Sequence, residues 1–327
     1  SYASNPQLPI SNQIEKSRGF SSINERGLIK YVYTTDRELI VLNRGTDNKS
    51  GFSMCEECGY IHPVNPNEQK HSRNHYKPFL SLNSEICSGN MRTVYLGNCF
   101  LTDILLIRFD FNETIDFDPT GNKVWLNAAL ESLGEAIILA ASRVLDIDVQ
   151  ELVAGHRIIN EDGKYYADIY VFDSLSSGAG YSYVAGQKLD EILKETINLL
   201  EDCDGQCKSS CYHCLRHYKN QQKHYTLNRF LALELLLYLM DGMLKQYTLK
   251  EQIGILTPLI RILEILKYPV KQLIEGDQIV LVTKDNRRVL LRNNIIKPVA
   301  GNEVLQFSQF EIDFDLQNVA LLVTGNL

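Results

Sequence analysis

Four cysteines lie close together in the second half of the chain, and their types and spacing could hold a metal ion. Cys203, Cys207, Cys211 and Cys214 fall within twelve residues. Cys-x₂₋₄-Cys steps bring soft thiolates around tight turns, and four such ligands suit a tetrahedral zinc ion. Gly205 can supply the positive φ that such a turn often needs. The spacing therefore predicts a zinc site formed by these four thiols.

Two other interpretations of these cysteines remain open. The thiols could form two disulfides, although bridges at such short separations would be strained and nothing indicates an oxidising compartment. An iron–sulfur cluster also takes four cysteine thiolates. We favour zinc over both.

The stretch that follows the cysteines is basic and rich in aromatic residues, and no acidic residue occurs from Cys207 to Arg229. A nucleic-acid surface needs cations for phosphates beside aromatic faces for bases, whereas an isolated charge run is usually a solvated face. Because this stretch adjoins the metal site, we expect it to bind nucleic acid. Its cations are Lys208, Arg216, Lys219, Lys223 and Arg229; Tyr212, Tyr218, Tyr225, Phe230, His213, His217 and His224 are interleaved with them. Phosphate contacts are expected from Arg216, Lys219, Lys223 and Arg229, and stacking on a base from Tyr218 or Tyr225.

A second cysteine pair, Cys55-Glu-Glu-Cys58-Gly59, has the form of a zinc knuckle but supplies only half a site. Candidates for its remaining ligands are His62, His71, His75 and Cys87. We expect Cys55, Cys58 and Cys87 to bind zinc with His75 or His71 as the fourth ligand. Alternatively, Cys87 is a core residue and the pair is redox-active, but the prolines that follow rule out the helix of a thioredoxin-like motif.

Composition places the chain among globular proteins. Its 327 residues are 44% hydrophobic and 22% charged, and the net charge is −7, so any attraction of nucleic acid must be local. Eight cysteines in clusters favour a reducing cytoplasm and metal binding. We see no apolar run that approaches a membrane span of roughly twenty residues. The start at Ser1, without a signal sequence, suggests a piece of a longer chain.

Hydrophobic patterns predict the elements that position these residues. A long helix at 124–145 and an apolar helix at 228–244, either core or docking surface, are the clearest. A helix is also expected at about 183–200, and another from Thr257-Pro258 to about 266. Strands are expected at 28–33, 38–43, 104–109, 155–160, 165–172, 278–284, 288–292, 304–314 and 319–323.

We expect an α/β (α+β) fold with a mixed sheet, flanking helices, two zinc knuckles and a small β-rich C-terminal module. Its predicted divisions are an entry segment with the first strands at 1–50, a zinc-binding domain at 51–248 and the module at 249–327. Cys99, just before an apolar strand, is expected to pack rather than to bind metal.

Carboxylates at strand ends support a different class of function. Asp103, Asp168, Asp173 and His156 could surround a divalent ion in a phosphodiesterase, although such aspartates are usually caps or turn formers. The loop from Asp173 to Tyr181 could also hold an anion on free backbone amides; a tight strand-to-helix turn is the simpler interpretation.

Several motifs occur together in one order along the chain. They are Cys55-x₂-Cys58-Gly, Leu96-Gly…Thr102-Asp103, Phe172-Asp173-Ser…Gly178-Ala-Gly-Tyr181 and Cys203…Cys207…Cys211-Tyr-His-Cys214-Leu-Arg, followed by Asn220-Gln221 and His224. This order resembles the zinc-binding domain at the C-terminus of MrfA-type helicases, also found in DrmB of the DISARM anti-phage system. The resemblance covers about residues 38–245. Ser177 stands where that family commonly has glycine, and 249–327 has no match.

The resemblance implies zinc on Cys203, Cys207, Cys211 and Cys214 and an association with a DExH-type helicase that acts on DNA. No Walker A motif or DExH box occurs, so we do not expect the chain to hydrolyse ATP by itself. We expect a non-catalytic, nucleic-acid-binding accessory domain or subunit, in DNA repair or anti-phage defence. Its partners would be DNA, with RNA not excluded, and a helicase core in the same chain or in another subunit, with no membrane. The phosphodiesterase and an assembly scaffold that docks a helicase partner through 228–244 and 249–327 are the alternatives.

Overall fold

The computed structural model describes residues 4–7, 19–23, 25–45, 50–64, 74–78, 85–111, 123–161, 163–175, 178–298, 301 and 303–325. Its helices and sheets confirm the predicted α+β class. The strands are β1 (Ser4–Gln7), β2 (Ser21–Ser22), β3 (Ile29–Asn43), β4 (Phe52–Cys55), β5 (Ile61–Pro63), β6 (His75–Tyr76), β7 (Ile86–Cys87), β8 (Met91–Val94), β9 (Leu96–Asp110), β10 (Leu152–Glu161), β11 (Lys164–Asp173), β12 (Val270–Glu275), β13 (Gln278–Thr283), β14 (Arg288–Arg292) and β15 (Val304–Ser308). The helices are α1 (Lys123–Leu145), α2 (Tyr181–Gln187), α3 (Leu189–Glu201), α4 (Arg229–Asp241), α5 (Leu249–Ile265), α6 (Gln309–Phe314) and α7 (Leu316–Thr324).

The largest sheet is antiparallel, with strand order β1-β3-β9-β11-β10 and β2 beside β3. Strands β3 and β9 pair along most of their length, with a register shift between Thr34 and Arg37. Asp36 has a φ of 52° inside this irregularity. The strands expected at 28–33 and 38–43 are therefore one bulged strand, because a bulge bends a strand without ending it. The predicted strand at 104–109 is the second half of β9.

Helix α1 confirms the prediction at 124–145 and lies on the core face of this sheet. Leu126, Leu130 and Leu133 recur at helical spacing and are fully buried. By length and composition Val124–Leu145 could cross a membrane, contrary to our expectation that no apolar run is long enough. However, 78% of its most apolar window is buried inside the protein, which makes it the core helix.

Helices α3 and α4 join α1 in the main core, and α4 settles one open question. Leu231, Leu235, Leu236 and Leu239 of α4 are buried in that core. The apolar helix expected at 228–244 is therefore a core element rather than a docking surface. The predicted helix at 183–200 is two helices, α2 and α3, which meet at Lys188.

The C-terminal part contains a four-stranded sheet, β12-β13-β14-β15, whose last pair is parallel. Sequence patterns missed β12 and misplaced the start of α5. That helix begins at Leu249 after a capping box in which Thr248 and Glu251 exchange hydrogen bonds. Pro258 lies inside it rather than at its first turn.

Two predicted strands near the C-terminus are helices. Ser308 accepts a hydrogen bond from the backbone N–H of Glu311, and this capping box ends β15 and starts α6. The expected strand at 304–314 is therefore correct only to residue 308. Residues 319–323 lie in α7, where Val319, Ala320 and Val323 are buried on one helical face. The β-branched residues suggested a strand there, but burial on a helical face overrides local propensity.

Candidate metal centres and the adjoining segment

The four clustered cysteines come together as predicted after the end of α3. Their sulfurs lie 3.8 Å (Cys203–Cys207), 3.5 Å (Cys203–Cys211), 3.7 Å (Cys207–Cys214) and 3.8 Å (Cys211–Cys214) apart. These separations are far longer than a disulfide bond, and all four cysteines are free. A tetrahedron with zinc–sulfur bonds of about 2.3 Å has edges of about 3.8 Å. The four thiols thus have the donor type and the spacing that zinc takes; we call them the four-cysteine centre.

Tight turns hold the sulfurs at this spacing. The backbone N–H of Gln206 donates to the Cys203 carbonyl at 2.8 Å, and Gln206 has a φ of 43°. Gln206, and not Gly205 as we had predicted, therefore supplies the positive φ of this turn. A Cβ at Gly205 would lie 2.9 Å from the Cys211 sulfur, so this position needs glycine for space. On the second turn, the backbone N–H of Cys211 points at the Cys214 sulfur, 3.2 Å away.

The thiol pKa values in this centre diverge. Burial raises the pKa of Cys203, but hydrogen bonds from Cys211 and from backbone amides outweigh burial and lower it to about 7. Burial raises the pKa of Cys214 to about 12 and also raises that of Cys207. Four thiolates this close repel one another, so a cation among them is what would allow all four to ionise.

The first cysteine pair forms the second group, with Cys87 and His75 as the remaining members. The Cys55 and Cys87 sulfurs are 3.8 Å apart, and the Cys58 sulfur lies 3.1 Å from Nε2 of His75. His75 and Cys87 face each other across β6 and β7, and all four ligand atoms lie within 4.8 Å of one another. The donor set of three sulfurs and one imidazole suits zinc. We call this group the Cys₃His centre.

The surroundings of the Cys₃His centre explain why these residues meet. Gly59 has a φ of 72°, and its backbone N–H donates to the Cys55 carbonyl, which closes the turn between Cys55 and Cys58. The Tyr60 ring stacks on the His75 ring at 4.8 Å. His62 is not part of the group, and His71 lies outside the described residues. Cys99 was predicted to pack in the core rather than to bind metal. It is exposed, its thiol donates to Glu38 at 2.9 Å, and it belongs to neither centre.

The segment after the four-cysteine centre, residues 215–228, is anchored to α1 by two carboxylates that the sequence analysis overlooked. Glu135 Oε2 lies 2.9 Å from His217 Nε2 and accepts from the Asn220 side-chain amide at 3.1 Å. Glu131 accepts from the Thr226 hydroxyl at 2.9 Å. The sequence did contain a signal for this contact: Glu131 and Glu135 lie four residues apart on a largely apolar helix. Buried carboxylates need partners, so this pair predicts polar or basic residues packed against it.

The structure gives three of the five predicted cations internal partners. The Lys223 ammonium lies 3.3 Å from Glu131 and 3.4 Å from Glu135. Burial lowers the pKa of Lys223, but the two carboxylates outweigh this and raise it. The Arg216 guanidinium donates to the Ser210 hydroxyl at 2.9 Å.

Arg229 departs furthest from the expectation of a phosphate contact. It is 8% exposed, and its guanidinium donates to the Leu200 carbonyl at 2.6 Å and to the Glu201 carbonyl at 3.0 Å. These carbonyls lie at the C-terminal end of α3, where the last turn of a helix offers them no partner within the helix and where a cation is favourable. Arg229 therefore has a structural role. Lys208 and Lys219, in contrast, are exposed.

The residues of the phosphodiesterase hypothesis do not come together. Asp168 is fully buried and pairs with Arg108 at 2.8 Å and with Arg157 at 2.8 Å. Asp103 accepts from the Tyr33 hydroxyl at 2.8 Å. His156 contributes to no metal-capable group: among the described residues, those groups are the two cysteine centres.

The Asp173 side chain fills the anion-binding position of the glycine-containing loop that follows β11. Its carboxylate accepts hydrogen bonds from the backbone amides of residues 179–182, including that of Ser182 at 2.8 Å. The amides that could have held an external anion therefore hold this side chain. The alternative of a tight strand-to-helix turn is the one that the structure supports.

Comparison with known proteins finds one family model that matches the part of the chain around the four-cysteine centre. Residues 133–215 match the family of the MrfA Zn-binding domain, a span that includes Glu135 and all four cysteines of that centre. The Cys₃His centre lies outside the matched residues.

Two known proteins match a larger part of the chain. Druantia protein DruE of Escherichia coli (strain UMEA 4076-1) is 37% identical over an alignment of 227 residues that covers 66% of this chain. The chain spans 12% of that relative's length. The crystal structure of the DUF1998 helicase MrfA bound to DNA is 12% identical, with a TM-score of 0.40 over 72% of this chain and 25% of that one.

Proposed function

Because residues 133–215 match the MrfA Zn-binding domain family, we propose that this chain is a non-catalytic, zinc-dependent nucleic-acid-binding module that works with a helicase. The observation that carries the proposal is the junction of the four-cysteine centre with the segment at 215–228. The centre fixes one end of the segment, and the carboxylates of α1 fix the rest. Metal binding free energy at such a centre is folding free energy, so zinc would hold the segment in one conformation.

We assign one zinc ion to each centre. Each has four thiol or imidazole donors of the kinds that zinc binds, and in each the four ligand atoms lie within 4.8 Å of one another. An iron–sulfur cluster in the four-cysteine centre is the competing assignment. The proposed ligands are Cys203, Cys207, Cys211 and Cys214 in one centre and Cys55, Cys58, His75 and Cys87 in the other.

The proposed partners are DNA, or RNA, and a helicase core in the same polypeptide or in a separate subunit. Similarity to a Druantia protein and to the MrfA Zn-binding domain family supports this setting. We propose anti-phage defence as the pathway, and we prefer it to DNA repair. We also propose a cytoplasmic location, because clustered free thiols favour a reducing compartment.

Two exposed lysines provide the test of nucleic-acid binding. We expect the Lys208→Ala/Lys219→Ala double variant to bind an oligonucleotide more weakly, with a salt dependence flatter by roughly one to two units of slope. Fluorescence anisotropy over a range of salt concentrations measures both quantities. The matched control, Lys250→Ala/Lys271→Ala, removes the same charge from exposed positions of the C-terminal part and should bind as the parent does. Equal affinity and slope in the parent and both variants would contradict the proposed surface.

Docking of a helicase partner on the C-terminal part is a second candidate, favoured by its exposed apolar residues. Ile265 is 78% exposed, and Ile274 and Phe314 are each 61% exposed. Co-purification of a helicase partner with a Ile265→Ser/Ile274→Ser/Phe314→Ser variant tests it. Undiminished recovery of the partner would rule out these residues as the contact.

A further inference from the structure

Three tyrosine rings project from the four-cysteine centre and from the segment that follows it. Tyr218 is 83% exposed, Tyr225 is 81% exposed and Tyr212 is 67% exposed. A single exposed ring is normal, but three within fourteen residues, none of them buried in the core, need a reason. We propose that these rings form a stacking platform for the unpaired bases of a nucleic-acid strand, an inference that rests on the proposed function.

The backbone that carries the rings is held in place. Tyr218 opens a 3₁₀ turn, Tyr218–Lys223, preceded by a capping box between His217 and Asn220. The Asn220 side chain, 3% exposed, links this turn to Glu135 of α1. The backbone that carries Tyr218 is therefore ordered before a ligand arrives, which lowers the entropy cost of binding.

The other two rings are tied to the same network. The Tyr212 ring contacts the His224 ring edge-on at 5.4 Å, and His224 Nε2 lies 2.8 Å from Oδ1 of the Asn220 side chain. Tyr225 lies between His224 and Thr226, whose hydroxyl donates to Glu131. The backbone that carries all three rings is thus linked, through His224, Asn220 or Thr226, to one hydrogen-bonded network anchored on α1.

The charge of residues 207–229 favours an anionic ligand. No acidic residue occurs from Cys207 to Arg229, so the surface accepts a polyanion. Because Arg216, Lys223 and Arg229 have internal partners, Lys208 and Lys219 are the exposed cations of this stretch. Two cations give few phosphate contacts, and the rings must therefore supply much of the affinity.

Ring stacking requires bases whose faces are free. In a duplex each base face is covered by the next base pair, whereas an unpaired strand can place its bases on aromatic side chains. The platform is therefore expected to prefer single strands to duplexes. It is also expected to show little preference for sequence, because every base has a face that can stack.

The test compares three probes of equal length: a thymidine oligonucleotide, an abasic oligonucleotide with the same phosphates, and a blunt duplex. Stacking is worth about fivefold to a hundredfold in affinity per base. We expect the full chain to bind the thymidine strand at least about tenfold more tightly than the abasic strand. The Tyr218→Ala/Tyr225→Ala variant should lose that preference and Tyr218→Phe/Tyr225→Phe should keep it. Tyr95→Ala, which removes a ring that is 53% exposed elsewhere, should not alter it.

The outcomes separate the platform from the proposed function. Equal binding of thymidine and abasic strands by the parent chain, or tighter binding of the duplex, would overturn the platform and leave nucleic-acid binding intact. Absence of binding to all three probes would overturn both. Zinc content and melting temperature of each variant confirm that the exposed substitutions leave the fold unchanged.

Discussion

Glu135 shows most clearly what single residues do in this protein. The basic stretch looked in sequence like a row of free cations, yet its centre is bonded to a buried carboxylate more than eighty residues earlier. Spacing along the chain revealed the cysteines because metal ligands of one knuckle are local in sequence. It could not reveal Glu135, since a contact between distant residues leaves no local pattern. For the same reason, the choice between His71 and His75 could not be made from sequence.

Replacing one ligand of the four-cysteine centre tests its role in folding. We expect Cys211→Ser to hold one zinc ion fewer per chain and to unfold at a markedly lower temperature, because zinc binding contributes directly to folding. Zinc analysis and thermal unfolding measure the two effects. Cys99→Ser is the matched control, since Cys99 is exposed and outside both centres. Equal zinc content in the two variants would exclude Cys211 as a ligand.

Substitution of Glu135 tests the anchor of the basic segment. Burial raises the pKa of Glu135, but the hydrogen bond from His217 and the charge of Lys223 outweigh burial and lower it. A pKa that is lower in the folded state stabilises the fold above the unfolded value, near 4.5, and this stabilisation is lost as the pH falls through the folded value. We therefore expect Glu135→Gln to lower the free energy of unfolding by roughly 1–3 kcal/mol near neutral pH.

Urea unfolding at neutral and acidic pH measures this loss. Because acid also releases zinc from thiolates, the informative quantity is the difference between variant and parent, which should shrink at acidic pH. Glu191→Gln changes an exposed carboxylate on α3 and should unfold as the parent does. A difference that does not change with pH would contradict the assigned ionisation.

Among the helices and strands, those with a clear sequence pattern were predicted correctly, and those with conflicting local signals were not. The long helix α1 was predicted because its apolar residues follow one helical period, and strands β10 and β11 because a turn signal at 161–163 separates two runs of strand-forming residues. Helix α7 was predicted as a strand because its valines have a local preference for strands. The helix is stabilised by the burial of Val319, Ala320 and Val323 on one face, which local sequence does not reveal. Strand β3 was predicted as two strands because its bulge carries turn-forming residues.

The turn between β11 and α2 depends on one carboxylate. Asp173 accepts from four backbone amides, two of them on the same oxygen at 2.5 Å. We expect Asp173→Asn to lower the free energy of unfolding by about 1–3 kcal/mol, because buried amides lose a charged acceptor. Urea unfolding beside Asp190→Asn, which alters an exposed carboxylate, measures the effect. Equal stability of both variants would mean that these bonds do not hold the turn.

Across the whole molecule, packing crosses the boundary that the sequence suggested at residue 249. Ile295 and Phe310 of the C-terminal part belong to the main hydrophobic core. The Asn294 side-chain amide donates to Glu234 of α4 at 2.7 Å. Most buried apolar residues of the C-terminal part form a separate cluster. Sequence composition marked a change of character near this point, but it could not show the contacts of Ile295, Phe310 and Asn294, because they arise only in the folded chain.

Glu234 makes this contact sensitive to pH. Burial raises the pKa of Glu234, so its contribution to stability is present below the unfolded value and is lost as the pH rises through the folded value. We expect Glu234→Gln, which can still accept from Asn294, to raise the melting temperature at about pH 8 and to change it little at about pH 4. Differential scanning calorimetry measures both, with exposed Glu264→Gln as the control. A lower melting temperature at alkaline pH would show that the charged form of Glu234 stabilises the fold.

Zinc stoichiometry and coordination test the central claim most directly. Metal analysis of the purified chain combined with zinc X-ray absorption should give two zinc ions per chain, with seven sulfur ligands and one nitrogen ligand between them, from the four-cysteine and Cys₃His centres. Sulfur distances should lie near about 2.3 Å. Iron and inorganic sulfide in place of zinc, or metal-free protein with the same fold, would contradict it.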